Sequence, residues 1–199
     1  MSEETKYIGI LLFENVEELD AVGPYEVLSY WTRNYPGDGW AVFTMAKDGG
    51  LIRCAKGLSV MADYSYDLAP KMDVLLYPGG QGTRTHLLDE EQLEWLRRQR
   101  ELVPLLTSVC TGSLVYAAAG VLADRPATTH WASLEHLGRL DSSIEVRENV
   151  RFVDDGDIIT SAGVSAGIDM ALHLVVRLAG VDRAREVRRG IQYDPEPPV

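Results

Sequence analysis

Apolar runs of strand length alternate with helical patterns along this chain, and that alternation restricts the fold more than any other feature. Tyr7–Phe13 (YIGILLF), Trp40–Ala46, Leu58–Ala62, Val74–Tyr77 (VLLY) and Leu105–Val109 read as strands. Runs this continuously apolar belong in a sheet covered on both faces, which is the habit of mostly parallel α/β sheets. Between them, a helix is expected from near Val16 toward Tyr30, kinked or restarted at Pro24. Glu90–Arg100, Thr111–Ala119 and Gly163–Ala179 read as further helices, and Asp182 as the cap of a last one. Phe152–Thr160 reads as a hairpin turning at Asp155-Gly156, and the YDPEPPV tail as extended. The 199 residues, without repeat, linker or low-complexity tract, suit one domain spanning 1–199.

Charge narrows the partners. Thirty acidic residues against 19 Lys and Arg give a net charge of −11, the wrong sign for a nucleic acid or an anionic membrane surface. The basic cluster Arg183, Arg185, Arg188 and Arg189 reads as the solvated face and end of the last helix. The first apolar run is too short and too acidic in its flank for a signal peptide or a membrane span, so a cytoplasmic address is expected. Cys54 and Cys110 lie far apart and make no disulfide framework. Neither has a His or Cys at metal-ligand spacing, and no metal is expected.

Ligands of open parallel sheets bind beyond the carboxyl ends of the strands. Two such ends carry unusual chemistry here. Ser108-Val109-Cys110-Thr111-Gly112 follows the Leu105–Val109 strand and approximates a nucleophile elbow, with Cys as nucleophile. Small flanking residues permit the sharp turn, and the N–H groups of the following helix would favour a thiolate at Cys110. Tyr77-Pro78-Gly79-Gly80 ends the other strand, and the Gly80 N–H could aim at charge developing on a bound substrate. The competing reading makes Cys110 a small buried filler and Gly79-Gly80 a mere turn. Proton management needs a further group. Glu17 and Glu18 fit a solvated first helical turn, whereas Asp20 sits among Leu19, Ala21 and Val22, an odd place for a carboxylate. Periodicity alone does not bring Asp20 to Cys110.

GILLFENVEELDAVGPYEVL, VLLYPGG, LTSVCTGSLVYAAAGVL, ATTHWAS, TSAGVSAGIDMALHL and IQYDPEPP together resemble the DJ-1/PfpI superfamily, and within it the isocyanide hydratases. The resemblance implies a flavodoxin-like sandwich, homodimeric, with Cys110 at the elbow, Asp20 as the acid touching its sulfur, and Thr111 following the nucleophile. It implies cysteine-dependent hydration of a small isocyanide to an N-substituted formamide through a thioimidate, with no metal or organic cofactor. An acid beside a thiolate would be held neutral, the pair sharing one proton. Backbone N–H groups near Gly79, Gly80 and Thr111 would orient substrate or water. His130 is either an assistant to the cysteine or a structural residue holding its loop. The segment Ala21–Tyr25 would face a second copy across a two-fold axis, and Cys54 would be peripheral.

Other uses of the same elbow remain. A stand-alone sensor like those fused to AraC-type regulators, a redox-protective protein and a glyoxalase or deglycase would all rely on Cys110. A glutamine amidotransferase or triad hydrolase is excluded, because no histidine follows His173 and no His-x-Glu occurs.

Overall fold

The computed structural model describes residues 4–196, so the last three residues of the tail expected to be extended lie outside the described residues. In chain order the strands are β1 (Lys6–Leu11), β2 (Trp40–Ala46), β3 (Gly50–Arg53), β4 (Ser59–Ala62), β5 (Tyr64–Ser65), β6 (Val74–Tyr77), β7 (Leu105–Val109), β8 (Pro126–Ala127), β9 (Glu145–Val146), β10 (Phe152–Asp154) and β11 (Ile158–Ser161). The helices are α1 (Glu18–Asn34), α2 (Thr83–His86), α3 (Glu90–Leu102), α4 (Gly112–Ala118), α5 (Leu134–Leu140), α6 (Ala166–Ala179) and α7 (Val181–Gly190).

A seven-stranded sheet runs β10-β11-β7-β6-β1-β2-β5. Its pairings are parallel except β10 with β11, the hairpin anticipated at Asp155-Gly156. Every residue of β6, β7 and β11 is buried, as the unbroken apolar runs of β6 and β7 require. The core order β2-β1-β6-β7-β11 is the flavodoxin-like arrangement, whose switch point falls between β1 and β6. Tyr77 and Tyr116 are fully buried, and Tyr116 spends its hydroxyl on the Thr107 carbonyl at 2.8 Å.

Several local expectations are corrected. Leu58–Ala62 is a strand as expected, β4 beginning at Ser59, but it pairs antiparallel with β3 in a separate two-stranded sheet rather than joining the main one. Pro24 sits inside an unbroken α1, where the carbonyl lacking a helical donor is that of Asp20. Asp182 lies in the first turn of α7 and pairs with Arg185 at 3.0 Å, while Gly180 holds the cap position. Arg183 leaves the solvated cluster to pair with Asp38 at 2.7 Å and cover the Tyr35 ring. Within Ala21–Tyr25, Ala21, Gly23 and Pro24 are buried inside this chain. A Cβ on Gly23 would meet Ile168 of α6 at 3.1 Å, and one on Gly167 would meet Pro24 at 3.2 Å, so Gly23 and Pro24 face α6 while the adjacent Val22 stays 39% exposed.

Candidate active site

Strand ends assemble the site. Asp20 follows β1, Gly79 and Gly80 follow β6, Cys110 follows β7, and Val164 follows β11. These are neighbouring strands of the sheet, so residues scattered along the sequence converge at one edge of the crevice.

Cys110 has φ +56°, a left-handed conformation that non-glycine residues rarely adopt. Such a backbone costs on the order of 1–3 kcal/mol and persists only where surroundings over-determine it. Here they do. The Cys110 N–H donates to the Ser161 carbonyl at 3.1 Å, and its carbonyl accepts from Thr129 Oγ1 at 2.8 Å and Ser113 Oγ at 3.2 Å. Gly112 is required just beyond, since a Cβ there would stand 2.3 Å from the Tyr77 carbonyl oxygen. The elbow is therefore clamped between β6, β11 and the segment before Trp131.

Asp20 has no solvent exposure. Its Oδ2 accepts the Gly79 N–H at 3.1 Å, its Oδ1 accepts the Val164 N–H at 3.1 Å, and it hydrogen-bonds the Cys110 side chain. Burial is the dominant influence and lifts its pKa from 3.8 to about 7, against the lowering effect of the Cys110 hydrogen bond and the two amides. Cys110 is 6% exposed. Burial first, then the neighbouring Asp20, push its thiol up to about 12, while the N–H groups of Thr111 and Val164 act in the opposite direction. This corrects the expectation of a thiolate stabilised outright by main-chain dipoles: burial and the acid outweigh them. The two groups titrate as one unit, losing a first proton near neutrality and holding the second to high pH. Across that interval one proton lies between oxygen and sulfur.

The glycine turn behaves differently from its expected role. Neither amide is free for a substrate, because Gly79 N–H goes to Asp20 and Gly80 N–H goes to Thr111 Oγ1 at 3.0 Å. What the glycines supply is proximity. A Cβ on Gly79 would lie 2.6 Å from Thr111 N, 2.7 Å from its Oγ1 and 2.8 Å from Asp20 Oδ2. Gly80, at φ +126°, bridges to Val16 and would carry a Cβ 2.3 Å from Glu17 N. Thr111 accordingly braces the turn, and its own N–H faces the Cys110 sulfur.

A cavity of about 340 Å³ opens beside Cys110, with Thr111, Val164, Leu87, Leu114 and His130 among its lining. His130 accepts the Ala132 N–H on Nδ1 at 3.2 Å and packs so tightly on Gly163 that a Cβ there would meet its ring at 2.2 Å. It borders the cavity while holding its loop, and no hydrogen bond joins it to Cys110 among the described residues. Glu17 and Glu18 depart from the solvated first turn expected of them. Both carboxylates pair with Lys56, their side chains only 18% and 17% exposed. Glu17 lines this cavity, whereas Glu18 faces a separate one containing Cys54. Among the described residues, no cluster of His, Cys, Asp and Glu could hold a metal ion, and no helix is long and apolar enough to cross a membrane.

Two contributors escaped the sequence reading. Val164, a β-branched residue at φ +52°, directs one N–H at both Asp20 and the sulfur. Thr83 donates to the Gly80 carbonyl at 2.7 Å and lies 3.0 Å from Thr111 Oγ1, tying α2 to the elbow. The serine-, glycine- and alanine-rich stretch before α6 was a signal for the first; nothing local marked the second.

Known proteins resemble this chain in sequence and in fold. The chain is 40% identical over 191 residues to isonitrile hydratase of Pseudomonas putida, covering 96% of this chain and 80% of that protein. It is 28% identical over 187 residues to the HTH-type transcriptional regulator CdhR of Pseudomonas aeruginosa, of whose length it spans 54%. Among solved structures, a ThiJ/PfpI family protein from Pseudomonas syringae superposes with a TM-score of 0.86 at 30% identity, over 98% of this chain and 78% of that one. Drosophila melanogaster DJ-1beta, at 23% identity, shares the fold with a TM-score of 0.82 over 96% of this chain and all of its own. The DJ-1/PfpI family model matches residues 6–177, and with a parallel sheet whose strand ends converge on a clamped cysteine, the chain belongs to the DJ-1/PfpI family.

Proposed function

We propose that this chain, acting as a single domain, hydrates isocyanides to N-substituted formamides, R–N≡C plus water giving R–NH–CHO, with Cys110 as nucleophile. The observation that carries the reading is the hydrogen-bonded pair of Cys110 and fully buried Asp20 beside a small-molecule-sized cavity. The 40% identity to an isonitrile hydratase supports it.

The terminal carbon of an isocyanide must receive both a nucleophile and a proton. In the singly protonated pair, the sulfur's proton crosses to Asp20 as the sulfur–carbon bond forms, and Asp20 then hands it to the same carbon. The product of this half is the thioimidate R–N=CH–S–Cys110, with Asp20 ionised. Asp20 next takes a proton from water as the oxygen bonds to carbon, and passes that proton to nitrogen. Collapse of the adduct breaks the carbon–sulfur bond, its electron pair returning to sulfur and the hydroxyl proton returning through Asp20. The Thr111 and Val164 N–H groups hold charge on sulfur at each stage. Thr111 thus serves through its amide, Gly79 and Gly80 by fitting the turn around Asp20 and Thr111, and His130 by shaping the cavity wall. A carboxyl tuned to about 7 suits a group that must both accept and donate near neutrality.

In this reading the protein works in the cytoplasm as a homodimer. Val22 of α1 and Met61 of β4 remain 39% and 62% exposed around the second cavity, an apolar surface suited to a second copy. Sizing chromatography at twice the chain mass is expected.

The experiment is direct. With an aryl isocyanide, wild-type protein should remove the infrared N≡C band and release the formamide. Turnover of methylglyoxal with the isocyanide untouched would replace the substrate, and saturable binding with no turnover of either would favour a sensor, the reading that the regulator relatives support.

A further inference from the structure

We infer that the cavity recognises an anionic substituent on its substrate through Arg84, so that the preferred isocyanides carry a carboxylate or comparable anion on the group attached to nitrogen. The inference rests on the hydration reading for its reactive end and on independent geometry for its recognition end.

Arg84 is the guanidinium in the lining of the Cys110 cavity. Carboxylates outnumber Lys and Arg by 30 to 19 in this chain, and most of its arginines are paired with one. Arg84 is exposed, and among the described residues it makes no ion pair and no side-chain hydrogen bond. The acid that shares its cavity, Glu17, is ion-paired with Lys56 rather than with Arg84. A planar donor fork therefore stands in the cavity with its charge uncompensated, and a carboxylate is its natural complement.

Its placement is fixed from both sides. Thr83, immediately before it, is tied to Gly80 and Thr111. His86, two residues on, accepts the Tyr77 hydroxyl on Nδ1 at 2.6 Å; burial lowers its pKa to about 4, so it stays neutral as that acceptor. Tyr77 also accepts from Gln92 Nε2 at 3.2 Å. The backbone under Arg84 is thus pinned to the elbow and to β6, and only the side chain needs to order when a ligand arrives. The remaining wall near it is mixed: Leu87 and Leu114 suit an apolar spacer, and His136 of α5 adds a polar group. Cys110 and Arg84 line the same cavity, whose volume of about 340 Å³ has room for a ring-sized spacer. Net charge of −11 would repel such a substrate from afar, but at ~0.15 M salt that field is screened beyond about 8 Å, leaving the direct contact to decide.

The test compares para-carboxyphenyl isocyanide with para-tolyl isocyanide. The ratio of their kcat/KM values should favour the carboxylate in wild type and fall by about tenfold in Arg84→Ala and further in Arg84→Glu, mostly through KM. Equal ratios in all three proteins overturn the inference while leaving hydration intact. Failure of both compounds to react sinks the hydration reading, and the recognition claim is then judged by alkylation. In a Cys54→Ala background, para-carboxyphenyl maleimide should label Cys110 faster, relative to phenyl maleimide, with Arg84 than with Glu in its place. A charge-blind ratio there overturns the inference as well.

Discussion

Two buried cysteines in this molecule have opposite surroundings. Cys54 and Cys110 are 4% and 6% exposed, and burial raises both thiols. Cys54 lies beyond β3 among Glu14, Glu17 and Glu18, whose charges raise its pKa further without any of them sharing a proton with it. Cys110 is held at positive φ, faces two main-chain N–H groups, and hydrogen-bonds an acid that is itself half-protonated near neutrality. Burial alone makes a thiol inert. What distinguishes Cys110 is a neighbour able to take its proton inside the protein and return it.

The sharpest way to break this contrast is to remove each sulfur. Cys110→Ala should lower isocyanide turnover to background in a folded protein, whereas Cys54→Ala should keep kcat within about twofold. Next in size, Asp20→Asn should cut kcat by about 10²–10⁴-fold, the span of general acid–base catalysis, with circular dichroism unchanged. Gly79→Ala should lose about 10²-fold or more, because the new methyl displaces Thr111 N or Asp20 from the sulfur.

The same acid predicts a stability effect of defined sign. Asp20 is raised from 3.8 to about 7 in the folded protein, so the folded state binds its proton more tightly than the unfolded chain. Its contribution is fully favourable below 3.8 and is lost as pH rises through about 7. Asp20→Asn should therefore melt higher than wild type at pH ~8 and converge with it only toward pH ~4, the gap bounded by about 4 kcal/mol. One amide oxygen facing two N–H donors keeps the gain below that bound. Smallest of all, His130→Ala should cost about 1 kcal/mol of stability through the lost bond to Ala132 and alter kcat only a few-fold.

Much of this was legible in the chain. Continuous apolar runs located β2, β6 and β7 to the residue, because strands buried on both faces leave an unmistakable pattern. Small residues around Cys110 announced the elbow. The oddly placed Asp20 could be noticed but not positioned, since its contacts to Gly79 and Val164 span 59 and 144 residues. The β3–β4 hairpin escaped because its strands are short and half exposed, with no strong alternation. The partners of the Gly79 and Gly80 amides are hidden for a related reason: a glycine pair signals close approach without naming what approaches. Likewise, main-chain donors at a turn are visible in sequence, whereas the depth of burial that overrides them is not.

The central claim is best tested by the pH dependence of Cys110 alkylation, measured by mass spectrometry in wild type and in Asp20→Asn. A sulfur and a carboxyl exchanging one proton predict a wild-type inflection near 7 that vanishes in the variant, whose labelling should rise only above the ordinary thiol value of 9.0. Superimposable profiles for the two proteins, with no step near neutrality, would contradict it.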